Sequence, residues 1–450
     1  MEKPTKFIGI VLLIFMSLHS NSDAGVAAFP GAEGFGAQAV GGRGGKVFKV
    51  TNLKSSGLGS MQAACESRGP RIVVFEVGGV IRGDVIIKDS FITIAGQTAP
   101  SPGITIEGRL LSRPDPWRRL HDIVVRFIRI RPPPTTGQDG DAIQLSDTER
   151  VILDHLSLSW ANDEMIDICH SSEVTIQWCT LEESDTDGHD KGRHNFGIIS
   201  AYPGSGNVTI HHNIFAHHSR RSPSLSPYVD VKPGDFRNNV VYNFRDGLTH
   251  DGHIPRGSIN LIANYYKKGP NSHYIYPFEF HEAGRYYVKG NYIDGAGEIG
   301  DPRDDNTKLP VWVSTKQKGE ILREPAKVAT VNTHTALEAF KRVTEQAGCF
   351  PRDRVTRRTI QEVLHNTGKW GRNAPARPTD EWFYGGLTIE KAPMDSDADG
   401  IPDEWEAAHG LNKTDPRDFN EIMSSGYTAI EEYINDCADV LIRRAIEAKH

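Results

Sequence analysis

Five short stretches decide the reading of this chain: Ile176-Gln-Trp-Cys179, Ile210-His-His-Asn213, Phe236-Arg-Asn-Asn239, Leu261-Ile-Ala-Asn264 and Val288-Lys-Gly-Asn291. Each opens with an apolar residue and four close on asparagine. Their last positions are 34, 26, 25 and 27 residues apart, and Leu153-Asp-His-Leu156 extends the series backward by 23. A recurrence of 20 to 50 residues marks a repeat architecture. The runs around these stretches (71–77, 84–87, 91–95, 103–107, 123–130, 151–158, 174–181, 207–215) are rich in Val, Ile, Thr and Phe and are separated by turn residues. Units of this length that cannot bury an apolar face alone stack as coils of a right-handed, single-stranded parallel β-helix, an all-β fold. Asn213, Asn239, Asn264 and Asn291 would then form an internal ladder that satisfies their amides. A β-sandwich is the competing reading, but it spaces its strands at roughly 8–12 residues.

Working outward, the 450 residues exceed one ordinary domain, and 38% hydrophobic with 24% charged residues suits a soluble protein and excludes a multi-span membrane protein. The glycines (44) and prolines (26) call for frequent turns. A net charge of -7 argues against a nucleic-acid partner, which would need a basic footprint. At the N-terminus Lys3 and Lys6 precede an apolar run, Phe7 to Leu18, with Ser22 and Ala24 beyond. That run is too short to span a membrane and reads as a signal peptide over 1–24. No second such run follows, so a secreted protein with no membrane association after cleavage is expected. Five dispersed cysteines without a CxxC indicate neither a disulfide framework nor a zinc site. Pairing of Cys169 with Cys179 after export is the alternative, but both sit in apolar strands, where buried free thiols are expected.

The β-helix is expected over 25–304, its glycine-rich opening (29–45) forming tight turns that cap the solenoid. Helical patterns at 335–348 and 356–367 place a mixed helical extension at 305–390. An Asp-rich loop and further short helices, 404–409 and 427–448, occupy 391–450. With no coiled coil or apolar surface stripe, a monomer is expected.

Candidate chemistry clusters in a few places. Asp139 and Asp141 lie two apart. Asp163 and Asp167 follow on the next coil, with Glu164 between them. Coils stack about 4.8 Å apart, so neighbouring loops can gather these oxygens. Such a set suits Ca²⁺, and a solvated acidic edge is the alternative. Basic residues follow: Lys191, Arg193, His217, His218, Arg220 and Arg221, a candidate site for an acidic ligand. His211 and His212 are adjacent in a strand, so their rings are expected on opposite faces. His217, His218, His250 and His253 lack metalloprotease spacing, and ordinary hydrogen-bonded histidines are expected. In the tail, Asp395, Asp397, Asp399, Asp403 and Glu406 occupy positions 1, 3, 5, 9 and 12 of an EF-hand-type loop with Gly400 at position 6. Pro402 departs from that pattern, so a lone calcium loop is expected here.

Together these pieces resemble polysaccharide lyase family 1, the pectate lyases. The likeness covers roughly 29–294: Phe29-Pro-Gly-Ala-Glu-Gly-Phe-Gly36, Gly41-Gly-Arg-Gly-Gly45, Val74-Phe-Glu-Val-Gly-Gly-Val80, Leu153-Asp-His155, Ser159-Trp160, Val174-Thr-Ile-Gln-Trp178, and His211-His-Asn213 followed by Arg221-Ser-Pro223. The tail resembles extensions on bacterial members. The resemblance implies a Ca²⁺-assisted β-elimination on 1,4-linked galacturonan (pectate or pectin) that leaves an unsaturated uronate end. It assigns Asp141, Asp163 and Asp167, with Asp139, to calcium, Arg221 to proton abstraction, and Lys191 to substrate. Ser224 and Ser226 stand where many members carry a second arginine, and Arg220 is the candidate substitute. A non-catalytic glycan-binding β-helix and a galacturonan hydrolase using paired carboxylates are the alternatives.

Overall fold

The computed structural model describes residues 25–113, 118–134, 140–229, 231–299, 319–371 and 373–447. The expected signal segment and Asp139 lie outside them. Among the described residues the chain rotates through an eleven-stranded sheet, a ten-stranded sheet and a six-stranded sheet, the last replaced on later coils by a two-stranded sheet of Asp246–Leu248 and Tyr276–Phe278. Within each, neighbouring strands lie three apart in the sequence, save that Lys46–Val50 pairs with the next strand, Arg71–Phe75, and Tyr292–Ile293 with the next strand, Gly297–Glu298, the latter pair being antiparallel and all others parallel. This is a parallel β-helix of about nine turns.

The repeat seen in the sequence is the register of the long sheet. Leu153 pairs with Ile176, Ile176 with Ile210, Ile210 with Phe236, Phe236 with Leu261 and Leu261 with Val288. All six side chains lie in one core running the length of the solenoid. The chain leaves this sheet through residues with left-handed φ: His155, Trp178, His212, Asn238 and Ala263. The first three stack their rings, Trp178 lying 6.2 Å from His155 and 4.4 Å from His212. The next residue points inward. There Asn213, Asn239, Asn264 and Asn291 form the expected ladder, each Nδ2 donating to the next Oδ1 at 2.9–3.1 Å.

The glycine-rich opening does not cap the end. It crosses the outer face of the long sheet, where Gly36 donates its N–H to Thr175 Oγ1 at 2.8 Å. A Cβ on Gly36 would lie 2.1 Å from Val151 O, so a side chain is excluded. The end of the solenoid is covered instead by α1 (Met61–Glu66), whose Met61, Ala64 and Cys65 enter the core.

Beyond the solenoid, α2 (Ala336–Gln346) and α3 (Arg354–His365) set Val343, Ile360 and Val363 against Ile214, Val240 and Tyr242 of the ten-stranded sheet. Asp353 caps α3 through Thr356 N and also binds Arg131, which is wholly buried and pairs with Glu182 at 2.8 Å. Next come α4 (Asp380–Tyr384), α5 (Asp403–His409) and α6 (Ala429–Glu447). Ile430 and Ile434 of α6 pack on Ile72 and Val74 of an early coil. All five cysteines are free thiols, and Cys169 and Cys179 are both buried. Among the described residues no helix is long and apolar enough to cross a membrane.

Candidate functional site

The chemistry gathers where successive coils pass from the ten-stranded to the six-stranded sheet. One such loop, ending at the strand Glu164–Asp167, carries Asp163. The next, between Thr180–Leu181 and Phe196–Ser200, carries His189, Lys191 and His194. The third, between Ile214–Ala216 and Ser224–Leu225, carries Arg220 and Arg221. Asp141 precedes Ile143–Gln144 on the coil before. Parallel stacking therefore brings together side chains up to 80 residues apart.

Oxygens of Asp141, Asp163 and Glu164 lie within 4.8 Å of one another. Asp141 is buried, and its Oδ1 accepts the Glu164 N–H at 3.0 Å. Burial, with the charges of Asp167 and Asp163, pushes its carboxyl well above the usual range. A buried carboxyl repelled by two others is the setting a hard cation relieves, and three carboxylates are the donor set a divalent ion of the calcium type takes. Asp167 does not join this group. It sits at the far end of its strand, where its Oδ1 accepts from Ser146 Oγ at 3.1 Å and Cys169 N at 2.7 Å. Glu164, at the start of the same strand, takes the place expected for it.

The Arg221 guanidinium forms a close ion pair with Glu164 and lies 3.5 Å from Asp251 Oδ2. It is held 4.1 Å above the Phe196 ring. Its backbone has φ of 58°, a left-handed turn that projects the side chain from the loop. Arg220 points to the following coils, 3.2 Å from Asp246 and 3.3 Å from Asp251. Of the two serines in the second-arginine region, Ser224 Oγ accepts from Asp251 N at 2.9 Å, and Ser226 is buried. Lys191 is exposed on the middle loop, and its N–H donates to His189 Nδ1 at 3.0 Å. His189 Nδ1 also lies 3.2 Å from Asp190 Oδ1, and its Nε2 faces Asp163 Oδ2 at 3.3 Å. His194 stacks on His189 with centroids 3.5 Å apart. Glu164, His189, His194 and Asp251 were not assigned roles from the sequence. The position of Glu164 between two aspartates was the one available signal.

Three of the remaining candidate histidines make ordinary hydrogen bonds, whereas His253, expected to do the same, has a buried Nε2 without a hydrogen-bond partner. His217 meets Glu362 at 3.0 Å, His218 lies between Ser184 Oγ and Leu181 O, and His250 between Leu225 O and Tyr286 Oη. His211 and His212 do not oppose each other, because His212 has left the strand with φ of 55°; their Nδ1 atoms are 2.8 Å apart. In the tail, Asp397, Asp399 and Glu406 converge, joined by Asp418. Asp395 and Asp403 stay out of that group. Asp395 pairs with Lys49 at 3.0 Å, and Asp403 accepts from the N–H and hydroxyl of Ser396.

Comparison with known proteins gives the site its context. No family model matches the chain. A probable pectate lyase C of Aspergillus fumigatus is 35% identical over 441 residues, covering 94% of this chain and 97% of the relative. One of Aspergillus terreus is 36% identical over 446 residues, covering 95% and 98%. Both relatives are fungal, so a bacterial setting gains no support from them, and the alignments run through nearly all of both chains. Among solved structures, a pectate lyase from Paenibacillus is 14% identical and covers 72% of this chain and 97% of its own, at a TM-score of 0.46.

Proposed function

Because the chain belongs to the pectate lyase family, we propose that it cleaves 1,4-linked galacturonan by calcium-assisted β-elimination at the loop cluster of Asp141, Asp163, Glu164 and Arg221. It is a polysaccharide lyase. The observation that carries the assignment is the Arg221 guanidinium lying on Glu164, one of the three converging carboxylates. Asp141, Asp163 and Glu164 would hold the ion. When bound, Ca²⁺ supplies positive charge to the uronate carboxylate and to the negative charge that develops beside it.

The rest falls to the protein's own groups. Arg221 takes the C5 proton, the C5–H electron pair becomes the C4=C5 double bond, and the C4 oxygen leaves. Only a neutral guanidine accepts a proton, and arginine is ordinarily charged. Base action therefore requires Glu164, which pairs with Arg221, to be engaged elsewhere; membership of the metal set provides for that. The Phe196 ring beneath the guanidinium and the left-handed turn at Arg221 fix its direction. His189, with Nε2 3.3 Å from Asp163 Oδ2, lines the metal side of the cluster. Lys191 and Arg220 supply cationic contacts for substrate carboxylates, and Arg220 stands in for the missing second arginine. A polymeric substrate fits an exported, monomeric enzyme.

The test is ultraviolet absorbance of the unsaturated product on polygalacturonate with added Ca²⁺. The signal is lost with chelator, and Arg221→Ala, with an unchanged circular dichroism spectrum, lowers kcat by about 10²–10⁴. Turnover of Arg221→Ala at the wild-type rate overturns the base assignment.

A further inference from the structure

The tail holds a second convergence of carboxylates, contributed by none of the catalytic loops. Asp397 Oδ2, Asp399 Oδ2, both oxygens of Glu406 and Asp418 Oδ1 are buried and meet no hydrogen-bond donor. One oxygen from each of the four residues lies within 4.8 Å of the others. Glu406 is 0% exposed, Asp399 4% and Asp418 6%. Buried acceptors nearly always have a partner, and a buried carboxylate without one is among the most costly arrangements a fold can hold. The neighbouring acids contrast with these. Asp395 is neutralised by Lys49, and Asp403 is half-buried and bonded to Ser396. The orphaned oxygens are therefore confined to one point where four side chains are aimed together.

We propose that Asp397, Asp399, Glu406 and Asp418 form a Ca²⁺ site that fastens the tail to the first coils of the β-helix. The free oxygens number five, both of Glu406 included. A carbonyl or water beside them completes the six to eight oxygen ligands Ca²⁺ takes at roughly 2.3–2.6 Å. Mg²⁺ demands near-octahedral geometry and keeps several waters, and zinc prefers the nitrogen and sulfur ligands absent from this set. Without an ion, burial and mutual repulsion push Asp399 and Glu406 up to about 7.

The ligands come from three segments: the loop at 397–399, helix α5, and the turn Asp418–Asn420. The same loop is anchored on the solenoid. Ile401 packs with Ile72, Val74 and Ala95 of the early coils. Gly400, at φ of 102°, approaches Val47 so closely that a Cβ would lie 2.7 Å from Val47 Cγ1. An ion joining the three segments therefore holds α5 and the segment leading to α6 against the first two coils of the long sheet. Its effect is on stability rather than turnover.

The experiment uses the full chain, freed of metal by chelator, with CaCl₂ as probe, followed by calorimetric titration and thermal unfolding. Asp163→Asn, which removes a ligand of the catalytic cluster, is expected to keep one Ca²⁺ per chain and an upward shift of about 5 °C at a hundredfold excess over the dissociation constant. Glu406→Gln/Asp418→Asn is expected to lose that tail ion and its thermal shift while keeping the Ca²⁺ of the catalytic cluster and still forming unsaturated product at 25 °C. A Ca²⁺-dependent shift in Glu406→Gln/Asp418→Asn equal to that of wild type overturns the proposal. Should that variant fail to fold, Tb³⁺ luminescence in Asp163→Asn decides. Emission excited through Trp405, beside Glu406, should be displaced by Ca²⁺ and lost in Trp405→Phe; undiminished emission in Trp405→Phe overturns the site.

Discussion

Replacing His218 with glutamine should remove a defined part of the enzyme's sensitivity to acid. His218 is wholly buried on the loop that carries Arg220 and Arg221. Its Nε2 is 3.1 Å from Leu181 O and its Nδ1 is 2.7 Å from Ser184 Oγ. A neutral ring satisfies both contacts, donating from Nε2 and accepting at Nδ1 when the Ser184 hydroxyl turns to it from Phe196 O, its other acceptor at 3.0 Å. Burial lowers its pKa from 6.5 to about 3. In the unfolded chain the ring takes up a proton below pH 6.5, and in the folded chain only near pH 3. Its contribution is therefore whole above 6.5 and lost as pH falls toward 3, at about 1.4 kcal/mol per pH unit. Between pH 6.5 and 4.5 that amounts to about 3 kcal/mol, a large share of the roughly 5–15 kcal/mol that holds a domain together. The glutamine amide can donate to Leu181 O and accept from Ser184, but it does not titrate. Urea unfolding of both proteins across this range, followed by circular dichroism, gives the difference in stability at each pH. Other titrating groups, including the carboxyls whose pKa is raised, are common to both and cancel. The difference should change by about 3 kcal/mol in favour of His218→Gln as pH falls. Curves that run parallel, whatever their offset, would refute the claim that His218 is held neutral.

Two further outcomes follow from the coils themselves. Asn239→Leu removes the acceptor for Asn213 N at 2.9 Å and the donor to Ile210 O at 2.8 Å, both buried, and should lower unfolding stability by about 3 kcal/mol; a loss within 0.5 kcal/mol in denaturant titration would show that the ladder is not needed. Asp163→Asn should raise the Ca²⁺ concentration for half-maximal product formation by about tenfold or more and Asp167→Asn much less, so the reverse order in calcium-dependent initial rates would return Asp167 to the ligand set.

The solenoid was legible because its signal is a register. In a parallel β-helix, equivalent residues of successive coils must sit above one another, so insertions go into loops and the strand-end pattern stays in phase. That is why Leu153, Ile176, Ile210, Phe236, Leu261 and Val288 pair as their spacing suggested, although the loops between them differ in length. His212 was misjudged for a related reason. Strand alternation was applied one residue too far, into the left-handed position where each coil leaves the long sheet. The path of the glycine-rich opening was not legible, since Gly36 is required by Val151 O, a contact across more than a hundred residues.

The sites were legible in kind and less so in membership, and the reason is geometric. Asp163 and Asp167 look equivalent as acids four apart. A strand begins between them, however, and advances about 3.3 Å per residue, so Asp167 is carried roughly 10 Å beyond Glu164 to Ser146 and Cys169 N. Glu164 stays at the strand's start, where the adjacent coil brings Asp141 and the third loop brings Arg221. The tail repeats the lesson. A twelve-residue template weighs Asp395 and Asp403 equally with Glu406, but Asp395 is drawn to Lys49 of the first coil, and Asp418, twelve residues past Glu406, closes the ring from outside the template. In both clusters a local motif names the chemistry, while the neighbouring coil or turn decides which oxygens meet. Exchanging a ligand within either motif is therefore a sharper test of these assignments than deleting the motif whole.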